Sequence, residues 1–202
     1  MRLLHALALL LAAPIAHAQA VDWTSVDINP HHLNPQLAPA RLTAHQQAAI
    51  RTLIVHTLQD TDCDMPDGFG TFNYFIAPIG RPGIIYVQPG EGCLRRGEGT
   101  NTSLWLVDTS TPRPHFIAKP DDGFEGSGLG IEPNINHGLH DIVTAWHMSA
   151  DDTVLAYFRF DGTHYRRLSE THLIDCKTFK GHEHDSGRCF QNGQHALDSG
   201  TY

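Results

Sequence analysis

Beyond its first eighteen residues the chain has no apolar run approaching the roughly 18–20 residues that cross a bilayer as a helix. Positive charge is scarce too: 14 Lys and Arg face 22 Asp and Glu, for a formal charge of −8. Without a basic cluster, neither nucleic acid nor an anionic membrane surface is an expected partner. A cationic protein remains compatible, because opposite net charge speeds encounter. No C-x-x-C spacing occurs among the four cysteines, so a redox pair or zinc ribbon is not supported. No glycine-rich nucleotide loop is present. Gly126-Ser127-Gly128 has Glu125 and Leu129 where a nucleophile elbow needs glycines. These absences make catalysis the weaker hypothesis, and the expectation is a protein that is not an enzyme.

What is present begins with a leader. Met1-Arg2 precedes an almost wholly apolar stretch over 3–15, and Ala16-His17-Ala18 fits the small-x-small cleavage pattern. Residues 1–18 therefore read as a secretory signal peptide, with the periplasm as the expected compartment and secretion further out left open. Residues 19–41, carrying Pro30, Pro35 and Pro39, read as an extended lead-in, and 42–202 as a single domain with a disulfide-held C-terminal tail. An exported chain with an even cysteine count suggests two disulfides, and Cys63, Cys93, Cys176 and Cys189 allow three pairings. Cys63–Cys93 and Cys176–Cys189 are favoured, because the second pair flanks a Gly- and His-rich loop that cannot build its own core.

Thr43-Ala44-His45-Gln46 has the form of a capping box, and Ile50, Leu53, Ile54 and Leu58 follow at helical spacing. The spacing predicts an amphipathic helix over 44–59. Short strands follow at 72–77, 84–88, 103–108, 114–118, 141–147, 153–160 and 164–168, separated by Gly, Pro, Asp and Asn. That pattern implies antiparallel sheet rather than βαβ units. After Leu168 the periodicity fades and a loop is expected. Gly80-x-x-Gly83-Ile84-Ile85-Tyr86-Val87 also aligns with Gly138-x-x-Asp141-Ile142-Val143-Thr144-Ala145. The fold class expected is α+β: one N-terminal amphipathic helix on a mainly antiparallel sheet built from a degenerate two-fold β repeat.

The turn-Gly-x-x-acid-strand unit resembles the FG-GAP or integrin-type repeat, which holds calcium on an Asp-rich loop because that hard cation wants six to eight oxygens. Here Pro133, Ile135 and His137 stand where carboxylates belong, leaving Asp141 alone. Asp121, Asp122 and Asp141 are thus only weak metal candidates, and no cofactor is expected. His182, His184 and Asp185 in the tail lack the helical placement of a zincin pair. Gly123-Phe124-Glu125-Gly126-Ser127-Gly128-Leu129-Gly130 reads as a flexible loop carrying one aromatic and one acid.

Cys63-Asp64-x-x-x-Gly68-Phe69-Gly70-Thr71-x-x-Tyr74-Phe75, His147-Met148-Ser149-Ala150 and Tyr157-x-x-Phe160-Asp161-Gly162-x-x-Tyr165-Arg166 form a set. Across 42–168 the set resembles exported bacterial β-rich proteins related to the periplasmic lysozyme inhibitors of the invertebrate-type class. It also resembles the immunity proteins that act against peptidoglycan hydrolase effectors. The resemblance implies a helix-plus-sheet fold and inhibition by a loop entering a hydrolase cleft. Those inhibitors carry a Ser-Gly-x-x-Tyr loop; this chain has Ser127-Gly128-Leu129-Gly130-Ile131, without the Tyr, and Ser199-Gly200-Thr201-Tyr202, one residue short. The expected partner is a secreted, basic peptidoglycan-degrading enzyme. The expected contacts are Phe124, Glu125, Ser127 and Gly128, with His115 and Trp146 as outer candidates. The alternative is a calcium- or glycan-binding secreted module of the integrin-repeat type.

Overall fold

Thr43 accepts a hydrogen bond from the Gln46 backbone N–H at 3.2 Å, while the Gln46 side chain accepts from the Thr43 N–H at 2.9 Å. The capping box read from the sequence therefore opens α1, Ala44–Thr57, in the computed structural model, which describes residues 20–28, 37–58, 70–91, 94–96 and 101–196. Ile50 and Ile54, one turn apart, are fully buried, and Leu58 closes the same stripe. Among the described residues no helix is long and apolar enough to cross a membrane.

The strands are β1 (Thr71–Ile76), β2 (Ile84–Glu91), β3 (Arg95–Arg96), β4 (Asn101–Ser103), β5 (Trp105–Asp108), β6 (His115–Ala118), β7 (Glu125–Gly126), β8 (Gly128–Asn136), β9 (Leu139–His147), β10 (Asp152–Phe160), β11 (Tyr165–Asp175) and β12 (Arg188–Phe190). They form a four-stranded sheet in the order β1-β2-β5-β6, a five-stranded sheet β12-β11-β10-β9-β8, and a small sheet β3-β4-β7, with every pairing antiparallel.

The two larger sheets pack face to face, and side-chain alternation explains why. On β2, Ile84 and Tyr86 enter the central core with Leu104, Leu106, Ile142 and Phe158. Their neighbours Ile85 and Val87 point the other way, joining Trp105, Val107, Phe72 and the helix residues Ile50 and Ile54. The second sheet is likewise apolar on both faces: Ala156 and Phe158 face the central core, whereas Val143, Leu155 and Tyr157 face outward. That outer face is covered by Val26 and Ile28, with Val21 and Trp23 partly buried beside them. Part of the stretch read as a lead-in thus packs as a strap, and further along Ala38 and Ala40 bond to β1, at Ile76 and Tyr74. The layers are α1, first sheet, second sheet and strap.

Two expectations are corrected. Residues 123–130 are not a flexible loop, because β7 and most of the early part of β8 lie there. The glycines serve close approach: a Cβ at Gly126 (φ 140°) would sit 2.3 Å from the Ala145 carbonyl oxygen on β9. Nor does the chain become loop after Leu168, since β11 continues to Asp175, paired along β10 from Phe160↔Tyr165 to Asp152↔Ile174. Its polar side chains hid it, because that part of the strand has one solvated face. The Cys176–Cys189 disulfide is present, with Cα atoms 4.8 Å apart. Cys63 and Cys93 lie outside the described residues.

Candidate functional site

Asp141 sits on β9 with its side chain fully buried. A carboxylate there is tolerable only with several donors. The Tyr157 hydroxyl donates to Oδ2 at 2.9 Å, Arg159 donates to the same oxygen through Nε and Nη2 at 3.1 and 3.0 Å, and Asn136 donates to Oδ1 at 2.8 Å. Strand alternation puts Tyr157 and Arg159 on one face of β10, where both reach Asp141 across the β9–β10 ladder.

Beside this cluster β8, an edge strand, departs from regular pairing between Ile131 and Ile135. The irregularity spans Glu132, Pro133 and Asn134, and Pro133 has no N–H to give a ladder. Glu132 is 3 % exposed, and its Oε1 has no hydrogen-bond partner. Burial pushes its carboxyl up to about 7; the Asp27 backbone N–H opposes that rise, while the negative charges of Asp27 and Asp141 add to it. The Glu132 carbonyl accepts from Nδ1 of His140 at 2.7 Å, so that ring carries its proton on Nδ1. The Tyr157 hydroxyl also accepts from the Asn134 amide at 3.2 Å, and burial first, then the hydrogen bond to Asp141, raises its pKa to about 12.

Between this group and the strap lies a cavity of about 430 Å³. Glu132, Pro133, Asn134, Tyr157 and Arg159 form one wall; Val21, Asp22, Ser25 and Val26 form the other. The polar groups offer donors and acceptors: the Glu132 carboxyl is neutral over most of the acid range, Arg159 is balanced by Asp141, and the Asp22 carboxylate adds a negative charge on the strap wall. Asp141 does not line the cavity. Asp22 is occupied in capping the turn Trp23–Ser25 through the Thr24 N–H and hydroxyl.

The sequence-derived contact residues are dispersed. Phe124 is fully buried, its ring edge-on to Phe158 at 5.5 Å, and Gly128 is buried in the ladder opposite Ala145. Ser127 bonds the Ala145 carbonyl with both its N–H and its hydroxyl. All three are held within the strand framework, Ser127 half-buried there. Glu125 is half-buried and lines a second, open cleft of about 480 Å³ with Asp121, Asp122, Arg166 and Arg167. His115 is exposed on the first sheet, and Trp146 is half-buried against the central core. Of the weak metal candidates, Asp121 is paired with Lys119 at 2.6 Å and Asp141 is held by Arg159.

Glu132, Asn134 and Arg159 do not stand out in the sequence, and Tyr157 does so only as part of the resemblance set. The available signals were an acid followed by proline inside an apolar strand, and Tyr157-x-Arg159 alternating on one face. Comparison with known protein families, characterised proteins and solved structures finds no match for this chain.

Proposed function

We propose that the chain is an exported, non-catalytic binding protein whose cavity beneath the strap takes a hydroxyl-rich, uncharged group such as a sugar unit of a glycan. The observation that carries this reading is Glu132: a buried carboxyl lining a polar cavity, with one oxygen left without a partner. Such a group gains when a ligand hydroxyl donates to it. Asn134 and Arg159 on the same wall suit neighbouring hydroxyls, and the Tyr157 ring gives an apolar edge for a sugar face. The test is calorimetric titration with neutral oligosaccharides and with soluble peptidoglycan fragments. Saturable binding that Glu132→Ala abolishes supports the reading. Absence of binding to every saccharide, or binding indifferent to Glu132→Ala in a folded variant, overturns it.

The integrin-repeat resemblance fits this assignment. β2-β5-β6 and β9-β10-β11 follow one another in the same antiparallel order in the two sheets, and the turns at Gly80 and Gly138 touch: a Cβ on Gly80 would lie 2.7 Å from the Gly138 carbonyl oxygen. We take them as halves of one degenerate repeat in which Asp141, the surviving acid, has exchanged a cation for Arg159.

A second reading rests on the other cleft. Glu125, Asp121 and Asp122 line its surface beside Arg166 and Arg167, which pair with Asp161 and Glu170, a placement suited to a basic peptidoglycan hydrolase held as by a lysozyme inhibitor or immunity protein in the periplasm. Lysis of purified peptidoglycan by cell-wall hydrolases, with and without the protein, decides it. Unchanged lysis rates for every hydrolase would remove this reading and leave the glycan pocket standing.

A further inference from the structure

The tail after β11 brings three ligand-type side chains onto one point, His182 and Asp185 from before β12 and His195 from after it. Asp185 Oδ2 lies 2.6 Å from His182 Nδ1 and 2.8 Å from His195 Nε2. The three ligand atoms all fall within 4.8 Å of one another. They come from different turns of a segment that is pinned at each point. His182 donates its backbone N–H to Phe179 O and Asp185 donates to His182 O. His195 stands on a reversal at Gly193 (φ 78°), where the Phe190 N–H donates to Gln194 O and the Ala196 N–H to Arg188 O. The Cys176–Cys189 disulfide ties both ends of the segment to the sheet. Its Cys176 Sγ lies 3.7 Å from His195 Nδ1, so the ring is backed against the bridge with Nε2 turned to Asp185.

A carboxylate only accepts, so each imidazole presents an N–H to the same oxygen. Two ring protons thus converge where a cation would stand. We propose that this cluster is a binding site for one divalent transition-metal ion of the zinc or cobalt class, with His182, Asp185 and His195 as its protein ligands. Binding takes the place of the proton on each ligating nitrogen: a neutral ring then carries its proton on the other nitrogen, and a ring that is an imidazolium releases one proton to solvent. Two imidazoles and one carboxylate suit such an ion and not calcium, which asks for six to eight oxygens. Tetrahedral coordination with bonds of about 2.0–2.1 Å separates ligand atoms by roughly 3.3 Å. The two hydrogen-bonded pairs therefore need to spread by about 0.5–0.7 Å, and the two ring nitrogens, within 4.8 Å of each other, to settle at the same spacing. The side chains are 32 %, 36 % and 53 % exposed, for His182, Asp185 and His195, which leaves the fourth position open to water or to a group brought by a partner. Sequence spacing did not reveal the set, because His195 arrives through the β12 reversal and not through a short motif.

The experiment uses the full chain with its disulfides intact and no histidine tag. Zn²⁺ is titrated by calorimetry, Co²⁺ by visible absorption, and Ca²⁺ as the control cation. The expected result is one saturable equivalent of Zn²⁺, Co²⁺ bands of a four-coordinate site, and no heat with Ca²⁺. Asp185→Asn and His195→Ala should each weaken binding by more than about tenfold, the least seen when even supporting groups around a metal are lost. His184→Ala, in the same loop, should leave affinity unchanged. Ring resonances of His182 and His195 should shift on Zn²⁺ addition, a readout that needs no variant. Several weak equivalents unaffected by Asp185→Asn, or ring resonances of these two histidines that stay still while Zn²⁺ binds, would overturn the proposal. So would the absence of saturable Zn²⁺ binding.

Discussion

The two large sheets are alike in being antiparallel and in having apolar residues on both faces, yet they are covered differently. The first sheet is closed by α1, whose Ile50–Ile54 stripe meets Ile85, Val87, Trp105 and Val107 in an interface of apolar side chains. The second is closed by residues 20–28, a strap with one short turn at Trp23–Ser25. Trp23 and Phe190 fill part of its face, with ring centroids 6.4 Å apart, and Trp23 stands edge-on to Tyr157 at 6.2 Å. Beyond them the cover is incomplete, and there the sheet carries Asp141, Glu132, Tyr157 and Arg159. A regular helix presents a continuous stripe and leaves no room for polar groups. A short irregular strap leaves a gap, and the gap is where a polar site persists.

The contrast is broken most forcefully at Asp141. Asp141→Ala leaves Arg159, Tyr157 and Asn136 without their common acceptor, and removing one partner of a buried pair costs about 3–5 kcal/mol. Urea denaturation should show that loss as a lowered midpoint. A loss under about 1 kcal/mol would mean that the cluster is not held dry. On the other side, Ile54→Ala removes a fully buried side chain from the α1 interface, and should cost about 2–4 kcal/mol. It should leave ligand binding at the Glu132 cavity unchanged in the folded fraction, because that cavity lies beyond the second sheet. Altered affinity there would show that the two covers are coupled.

The helix side was legible in the sequence, and the strap side was not. Capping residues three apart and apolar residues at helical spacing are local signals, and both appear in α1 at the positions read. The strands that alternate or run apolar were likewise visible from Phe72 onward. The polar half of β11 was missed because Ser169, Glu170 and His172 give no apolar rhythm. Glycines at 123–130 suggest freedom in the sequence, yet Gly126 serves close packing on β9 and Gly128 pairs in the ladder. Glu132 escaped because its burial is made by the strap, more than a hundred residues away in sequence, and no local pattern encodes that contact.

Glycines test the same distinction between packing and freedom, with a smaller effect. At Gly126 a Cβ would collide with the Ala145 carbonyl oxygen at 2.3 Å, in a φ of 140° that other residues rarely adopt. At Gly138 the φ of 82° is also unusual, but nothing lies within 4 Å of a Cβ. Gly138→Ala should therefore cost about 1 kcal/mol from backbone strain alone, and Gly126→Ala clearly more, about 2–3 kcal/mol. Thermal melts of the two variants side by side check the order. Equal losses would mean that Gly126 is not held against β9.

The smallest change carries the most direct information about the strap side. Folding raises the Glu132 carboxyl to about 7, chiefly through burial, while in the unfolded chain it titrates near the ordinary value of 4.5. Between those two values the folded protein binds a proton that the unfolded chain has lost. Stability from this group is therefore complete below the ordinary value, falls as pH rises through that window, and is fully lost above about 7. Glu132→Gln has the same shape without the proton, so it should lack that slope. Melting temperatures of the two proteins, measured between about pH 4 and about pH 8, should be similar at the acid end and should diverge in favour of the variant as the pH rises. A difference that stays constant across the range would place Glu132 in water and remove the buried carboxyl from the pocket wall. Among the described residues the helix side has no counterpart in this pH range, because Tyr74, which packs against its interface, is raised by burial above its ordinary value of 10.0, and Arg51 over the Phe72 ring stays charged. A pH-dependent difference confined to Glu132 would therefore mark the strap side as the titratable cover and α1 as the inert one.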